Sequence, residues 1–162
     1  MKEVEVKLPF SLFNLFSRDL EKEREVFEEN VVFYVNESSI VRVRKENGQV
    51  VLTFKRMEKR DESKKVCEEV SVVVSDFDKV VEILRRIGLR EAMKYRKRRA
   101  IYRVRWNREI NVMLDEVEGL GKFVEVEAKS EKELAEFLSK YNIPRDKLIT
   151  KTYMELLRER SV

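Results

Sequence analysis

The 162-residue chain contains no histidine and a single cysteine, Cys67. Zinc sites of the Cys/His type and nucleophiles activated by histidine are therefore excluded. One cysteine cannot build an internal disulfide framework, and it fits a reducing compartment. Any metal has to be held by oxygen, which points to magnesium, manganese or calcium. Glycine and proline are scarce, and no Gly-, Ser- or Pro-rich stretch marks a linker. No apolar run approaches the ~20 residues needed to cross a bilayer, and the charged pattern begins at once without a leader segment. The expected protein is soluble and cytoplasmic, with no membrane partner.

Charge is what the chain has in excess. Charged residues make up 41% of it, with 35 Lys and Arg against 31 Asp and Glu, a net charge of +4. An excess this small does not argue for nucleic acid, although the pI is about 9.1. Abundant mixed charge and the near absence of glutamine resemble ion-pair-rich proteins from hot environments. Hydrophobic residues reach 43%, enough for a real core, and the length predicts one domain over residues 1–162.

Period-two alternation in "MKEVEVKLPF" predicts a first strand with one apolar and one charged face. Leu12, Leu15, Phe16 and Leu20 fall at helical spacing and predict a helix over 10–26. Strands are expected at 31–35, 39–45 and 49–57, with Asn47-Gly48 as a hairpin turn between the last two. The polar segment 58–65 reads as a loop and 66–74 as a strand. Ser75 caps a helix that Gly88 stops. Further strands are expected at 95–106, 109–117 and 122–128, with turns at Asn107-Arg108 and at the glycines of "GLG". Ser130 with Glu133 opens another helix, and Pro144 starts a last one. About eight strands joined mainly by hairpins predict one antiparallel α+β domain with a closed or nearly closed sheet.

The same alternation gathers charged side chains into rows. Glu3, Glu5 and Lys7 form the first, Arg42 and Arg44 the next, then Thr53 with Lys55. Cys67, Glu69 and Ser71 share a face, as do Lys97 and Arg99, while Asp115, Glu125 and Glu127 come from the late strands. Two arrangements satisfy this pattern. The rows face water and the opposite faces fill one core, or they converge inside a barrel. Buried charge is costly unless it is paired or binds a ligand. A polyphosphate with divalent metals would match a tunnel of carboxylates and guanidiniums.

The ordered set E-x-E-x-K, R-x-R, a lone strand lysine, K-x-R, "LDEVEGLGKFVEVE" and "TYMELL" spans nearly the whole chain. It resembles the triphosphate tunnel metalloenzymes, or CYTH superfamily, which includes class IV adenylate cyclases, thiamine triphosphatases and inorganic tripolyphosphatases. The resemblance implies an eight-stranded antiparallel β-barrel with helices packed outside and a triphosphate-containing small molecule in its tunnel. It implies Mg2+ or Mn2+ held by Glu3, Glu5, Glu125 and Glu127, supported by Asp115 and Glu69. It implies phosphate binding by Lys7, Arg42, Arg44, Lys55, Lys97 and Arg99. The general base is not assignable, with Lys7 and Tyr34 as weak candidates.

This sequence departs from the family pattern in places. "FYVNESS" lacks the aspartate and proline of Y-(Y/F)-D-T-P, Ser71 replaces an inward glutamate, and Cys67 stands where a basic residue is common. A metal-dependent triphosphatase is the main functional expectation, and a cyclase converting ATP to cyclic AMP and pyrophosphate is the runner-up. A polyphosphate- or nucleic-acid-binding module is the non-enzyme alternative, with Arg96 and Arg98 of "KYRKRRAIYRVR" as its outward cations. Both monomer and homodimer remain open.

Overall fold

The computed structural model describes residues 1–161. Its strands are β1 (Lys2–Pro9), β2 (Leu20–Tyr34), β3 (Ser39–Glu46), β4 (Gln49–Arg60), β5 (Lys65–Val74), β6 (Arg90–Val104), β7 (Asn107–Val117) and β8 (Gly121–Ala128). Among the described residues, three α-helices accompany them: α1 (Phe77–Arg86), α2 (Glu131–Lys140) and α3 (Tyr153–Arg160). All neighbouring strands are antiparallel, and the order β1-β5-β4-β3-β2-β6-β7-β8 closes on itself. The eight-stranded α+β barrel of the sequence reading is the observed fold.

The barrel is inverted relative to an ordinary globular core. Val4, Val6 and Leu8 point outward and are buried against Phe16, Leu134 and Phe137, together with outward residues of β7 and β8. On the opposite wall, Val31, Phe33, Val43 and Val50 pack under Val81 and Leu84 of α1. Apolar burial therefore sits between the barrel wall and its helices, where about 25 cal/mol per Å2 is gained. The residues alternating with them face inward, and those are the charged ones.

Several elements differ from expectation. No α-helix follows β1. Short 3-10 turns at Phe10–Leu15 and Ser17–Asp19 carry Phe16 into the outer core, and β2 starts at Leu20. "LEKERE" favours helix by composition, but it lies along β6 and is held there by paired backbone. The expected 58–65 loop is smaller, because β4 continues to Arg60 and β5 starts at Lys65. Asp76, rather than Ser75, caps α1, its carboxylate accepting from the Lys79 N–H at 2.9 Å. The β6–β7 turn is Arg105-Trp106, two residues before the predicted Asn107-Arg108.

Pro144 starts only a 3-10 turn, Arg145–Lys147. Ile149 then exchanges two 2.9 Å backbone bonds with Lys7, which keeps the chain extended until Thr152 caps α3 with a capping box. The Asn47-Gly48 hairpin forms as expected, with both residues at positive φ, 45° and 90°. Among the described residues, no helix is long and apolar enough to cross a membrane.

Candidate active site

The barrel encloses a cavity of about 640 Å3. β1 places Glu3, Glu5 and Lys7 in it, while β5 adds Lys65, Cys67 and Glu69, and β8 adds Glu125 and Glu127. From the facing wall come Arg42, Arg44, Lys55, Lys97 and Arg99. Asp115 is completely buried behind Arg99. Tyr34 lines one mouth, with the guanidiniums of Arg90 and Arg158 over its ring at 4.8 and 5.2 Å. Each charged row of the sequence is thus on the inner face.

Carboxylate oxygens of Glu3, Glu5 and Glu127 lie within 4.8 Å of one another. Their environments differ. Glu5 receives Lys55 at 3.1 Å and Lys65 at 3.3 Å. Burial alone would raise its pKa, but those ammoniums outweigh it and hold the carboxyl well below its usual range. Glu3 and Glu127 have no cation at ion-pair distance among the described residues. Burial, reinforced by Glu127 and Glu69, pushes Glu3 up to about 8. Burial, reinforced by Glu5 and Glu125, pushes Glu127 up to about 7. Two carboxyls thus share a buried corner that is short of positive charge.

The other acids are already engaged. Glu69 sits 3.1 Å from Lys55, and Glu125 is 3.4 Å from Lys7 and 3.5 Å from Arg99. Asp115 takes a two-pronged contact from Arg99, both arms 2.7 Å, with Lys97 at 3.5 Å. The Tyr153 hydroxyl donates to the same carboxylate at 2.6 Å. Burial would raise the Asp115 pKa, but Arg99 and Lys97 reverse the direction and keep it well below normal. Asp115 therefore lies apart from the three-carboxylate corner. Lys7 and Lys97 sit over the Tyr153 ring at 4.5 and 4.9 Å, so α3 closes this side of the cavity with an aromatic face.

Arg42 differs from the other cations. No carboxylate lies within ion-pair distance of it among the described residues, and its buried Nε has no hydrogen-bond partner. It is a donor aimed into the cavity with nothing on it. Arg44, by contrast, is held by Glu28 at 3.0 Å and by Asn30 Oδ1 at 2.7 Å.

Glu28, Asn30, Arg24, Lys65, Tyr95 and Tyr153 escaped the sequence reading. The first three fall in or just after the segment read as a helix. Continuing the Val31/Phe33 alternation toward the N-terminus would have found them. Lys65 shares the Cys67 row two residues earlier, but lay in the expected loop. Burial and the neighbouring Lys7 press its pKa down to about 8. Ser71, on the same row, pairs with Thr53, hydroxyl to hydroxyl, at 2.8 Å. Arg96 and Arg98 face outward, each opposite an acid across the sheet, Glu29 and Glu116.

A protein of Methanocaldococcus jannaschii named "Putative adenylate cyclase" is 31% identical over 176 residues, covering 96% of this chain and 98% of its own. A solved structure of a conserved hypothetical protein from Pyrococcus furiosus has a TM-score of 0.82 at 24% identity, covering 95% of this chain and 99% of that one. A Hippeastrum structure, titled as a putative adenylyl cyclase with a dominant triphosphatase activity, has a TM-score of 0.66 at 20% identity, covering 98% and 95%. Both structures share the barrel. A family model, the CYTH domain, matches residues 1–153, from the first strand to the tyrosine that closes the cavity, and this chain belongs to the CYTH domain family.

Proposed function

We propose that this chain is a metal-dependent hydrolase of triphosphate compounds, the class comprising tripolyphosphate, nucleoside triphosphates and thiamine triphosphate. The carrying observation is the pairing, in one cavity, of a carboxylate corner short of positive charge with a wall of guanidinium and ammonium groups. The corner fits a divalent cation. Its donors are all oxygen, they converge within 4.8 Å, and two of them lack cationic partners. Glu3, Glu5 and Glu127 would hold Mg2+ or Mn2+, which supplies charge neutralisation at the phosphate oxygens and polarises the attacked phosphorus.

The remaining residues bind and orient. Arg42 offers an unpaired guanidinium, the natural first contact for a phosphate oxygen. Arg44, Lys55, Lys97, Arg99 and Lys7 each rest against a carboxylate, so phosphate oxygens can take over acceptor positions that the protein already supplies. This arrangement keeps the cations aligned before substrate arrives, which phosphoryl transfer needs more than covalent help. Tyr153 shields Lys7 and Lys97 on one side and steadies Asp115.

Arg42→Ala gives a clean test of this division. The variant is expected to raise KM for triphosphate roughly tenfold, with little change in thermal midpoint, because no internal ion pair is broken. Unchanged KM would remove Arg42 from the phosphate grip.

A cyclase is the second reading, favoured by the name of the M. jannaschii relative. Tyr34, Ile40, Met57 and Met154 at one mouth are the apolar material from which a base slot would be made. A phosphorus NMR time course with ATP and with tripolyphosphate, each with magnesium or manganese, separates the readings. Orthophosphate with ADP, or orthophosphate from tripolyphosphate, supports the hydrolase. Pyrophosphate with a cyclic nucleotide supports the cyclase. No turnover of either substrate with either metal at elevated temperature would overturn both for ATP and tripolyphosphate.

A further inference from the structure

Most cations inside the barrel already lie against a carboxylate, Lys7, Arg44, Lys55, Lys65, Lys97 and Arg99 among them. Two groups on one wall are left over. The buried Nε of Arg42 has no hydrogen-bond partner. Tyr95 also lines the cavity. The hydroxyls of Tyr141 and Tyr153 donate to Asp19 and Asp115, each at 2.6 Å, but that of Tyr95 has no such partner among the described residues. The register brings the two groups together. β2 runs between β3 and β6, with Asn30 opposite both Arg44 and Tyr95, and Val32 opposite Arg42. Arg42 and Tyr95 thus flank β2 on its two sides, and the curvature of the barrel turns both long side chains toward its centre. Each is among the groups that shift the other's pKa.

A third unpaired donor lies between them. Arg44 Nε donates to Asn30 Oδ1 at 2.7 Å, and a guanidinium can only donate, so the amide oxygen has to face it. The amide nitrogen of Asn30 is then left buried and without a partner. Burial would raise the Tyr95 pKa, but Lys97, Arg44 and Arg42 outweigh both burial and the opposing charge of Glu28, and bring it below its ordinary value. The phenol is therefore a stronger donor than usual. Glu28, the carboxylate facing this patch, is already held by Arg44 at 3.0 Å and Lys97 at 3.4 Å. What stays unpaired here is a set of donors, and buried donors without acceptors are costly. Their complement is a group with several acceptor oxygens, which a phosphoryl group has. A divalent cation would be repelled.

We propose that Tyr95 and Arg42, with the free amide N–H of Asn30 between them, form a phosphoryl subsite that works by protein hydrogen bonds alone, so that a phosphate chain docks there without any metal. The inference rests on the triphosphate reading of the same cavity. It assigns Tyr95 as a substrate-binding residue and separates two tasks within the tunnel. At Lys7, Lys55 and Arg99 a phosphate oxygen has to take the place of a carboxylate. At Arg42 and Tyr95 nothing has to be released, so the first contact forms there. The carboxylate corner of Glu3, Glu5 and Glu127, which has no part in this contact, then serves the cation.

Calorimetric titration of the full chain with tripolyphosphate in excess EDTA tests the proposal. The unsubstituted chain is expected to bind without metal. Tyr95→Phe should weaken that binding roughly tenfold, the loss of one hydrogen bond to a charged group. Its ligand-free thermal midpoint should not fall, because the hydroxyl has no internal partner to lose. Arg42→Ala should also weaken binding, and the double variant should lose less than the product of the two, since both groups hold one phosphoryl. Tyr95→Phe that binds as tightly as the unsubstituted chain in EDTA would overturn the subsite. So would a chain that binds tripolyphosphate only once Mn2+ is added, although the triphosphate reading would then stand. Absence of binding both in EDTA and with Mn2+ would overturn the two together.

Discussion

Glu3→Gln is expected to lower metal-dependent turnover by roughly a hundredfold or more while raising the thermal midpoint of the metal-free protein. The two effects have one cause. Glu3 lies in a corner with Glu5 and Glu127, no cation answers it, and burial together with those neighbours lifts its pKa to about 8. Glutamine keeps the shape and removes the charge, and with it a ligand for the cation.

The pH dependence has a definite sign. A carboxyl whose folded pKa is raised keeps its proton in the native chain and loses it on unfolding. Metal-free stability therefore falls as pH rises from about 4.5 through about 8, with Glu127 contributing up to about 7. A cation has to displace the same protons, so its affinity should climb across that window. Thermal melts should show the metal-free midpoint falling over this range, a flatter slope for Glu3→Gln, and recovery on adding Mn2+ or Mg2+ only in the unsubstituted protein. Turnover that survives the substitution, with a midpoint that drops, would mean that the row does not hold the metal.

The rows were legible because period two is the strongest short-range signal a strand carries, and the rows at Glu3/Glu5/Lys7, Arg42/Arg44 and Glu125/Glu127 have valines between their charges, although Arg98 stands between Lys97 and Arg99. What alternation cannot reveal is which face of each strand the barrel turns inward. The resemblance supplied that, and the closed topology bears it out. The segment from Leu20 to Asn30 failed for a physical reason. Its Glu, Lys and Arg residues favour helix locally, but β6 presents a strand of equal length with matching backbone groups, and fourteen paired residues outweigh local preference. Glu28 and Asn30 were lost with that segment, although they set the position of Arg44.

Tyr153 stood within the quoted "TYMELL", but its role in the site was not legible, for a different reason. Its role depends on α3 returning across the barrel to Asp115, a contact between residues 38 apart in the chain. No local pattern encodes such a contact. The apolar alternation, by contrast, spoke twice, once for the inner charges and once for the outer core beneath α1 and α2. An inverted barrel of this kind depends on its helices for burial and on ion pairing for its interior. That division explains why substitutions inside it should act in opposite directions, according to how many cations each carboxylate faces.

Asp115→Asn is expected to destabilise the fold by about 3–5 kcal/mol, the reverse of the Glu3 result. Asp115 is completely buried, answers both arms of Arg99 and the ammonium of Lys97, and accepts from Tyr153. Asparagine preserves the volume but cannot supply the charge, so Arg99 and Lys97 would be left under-compensated inside the barrel. Because the folded pKa is depressed, the stability from this carboxylate is present above its unfolded value and is lost as pH falls through the acid range. Tyr153→Phe removes a single hydrogen bond to the same group and should cost less, about 1.5–3 kcal/mol. Urea unfolding of the three proteins at neutral pH would rank them. If Asp115→Asn costs no more than Tyr153→Phe, the interior cations do not depend on Asp115, and Glu28 and Glu125, which also contact Lys97 and Arg99, would have to carry their balance.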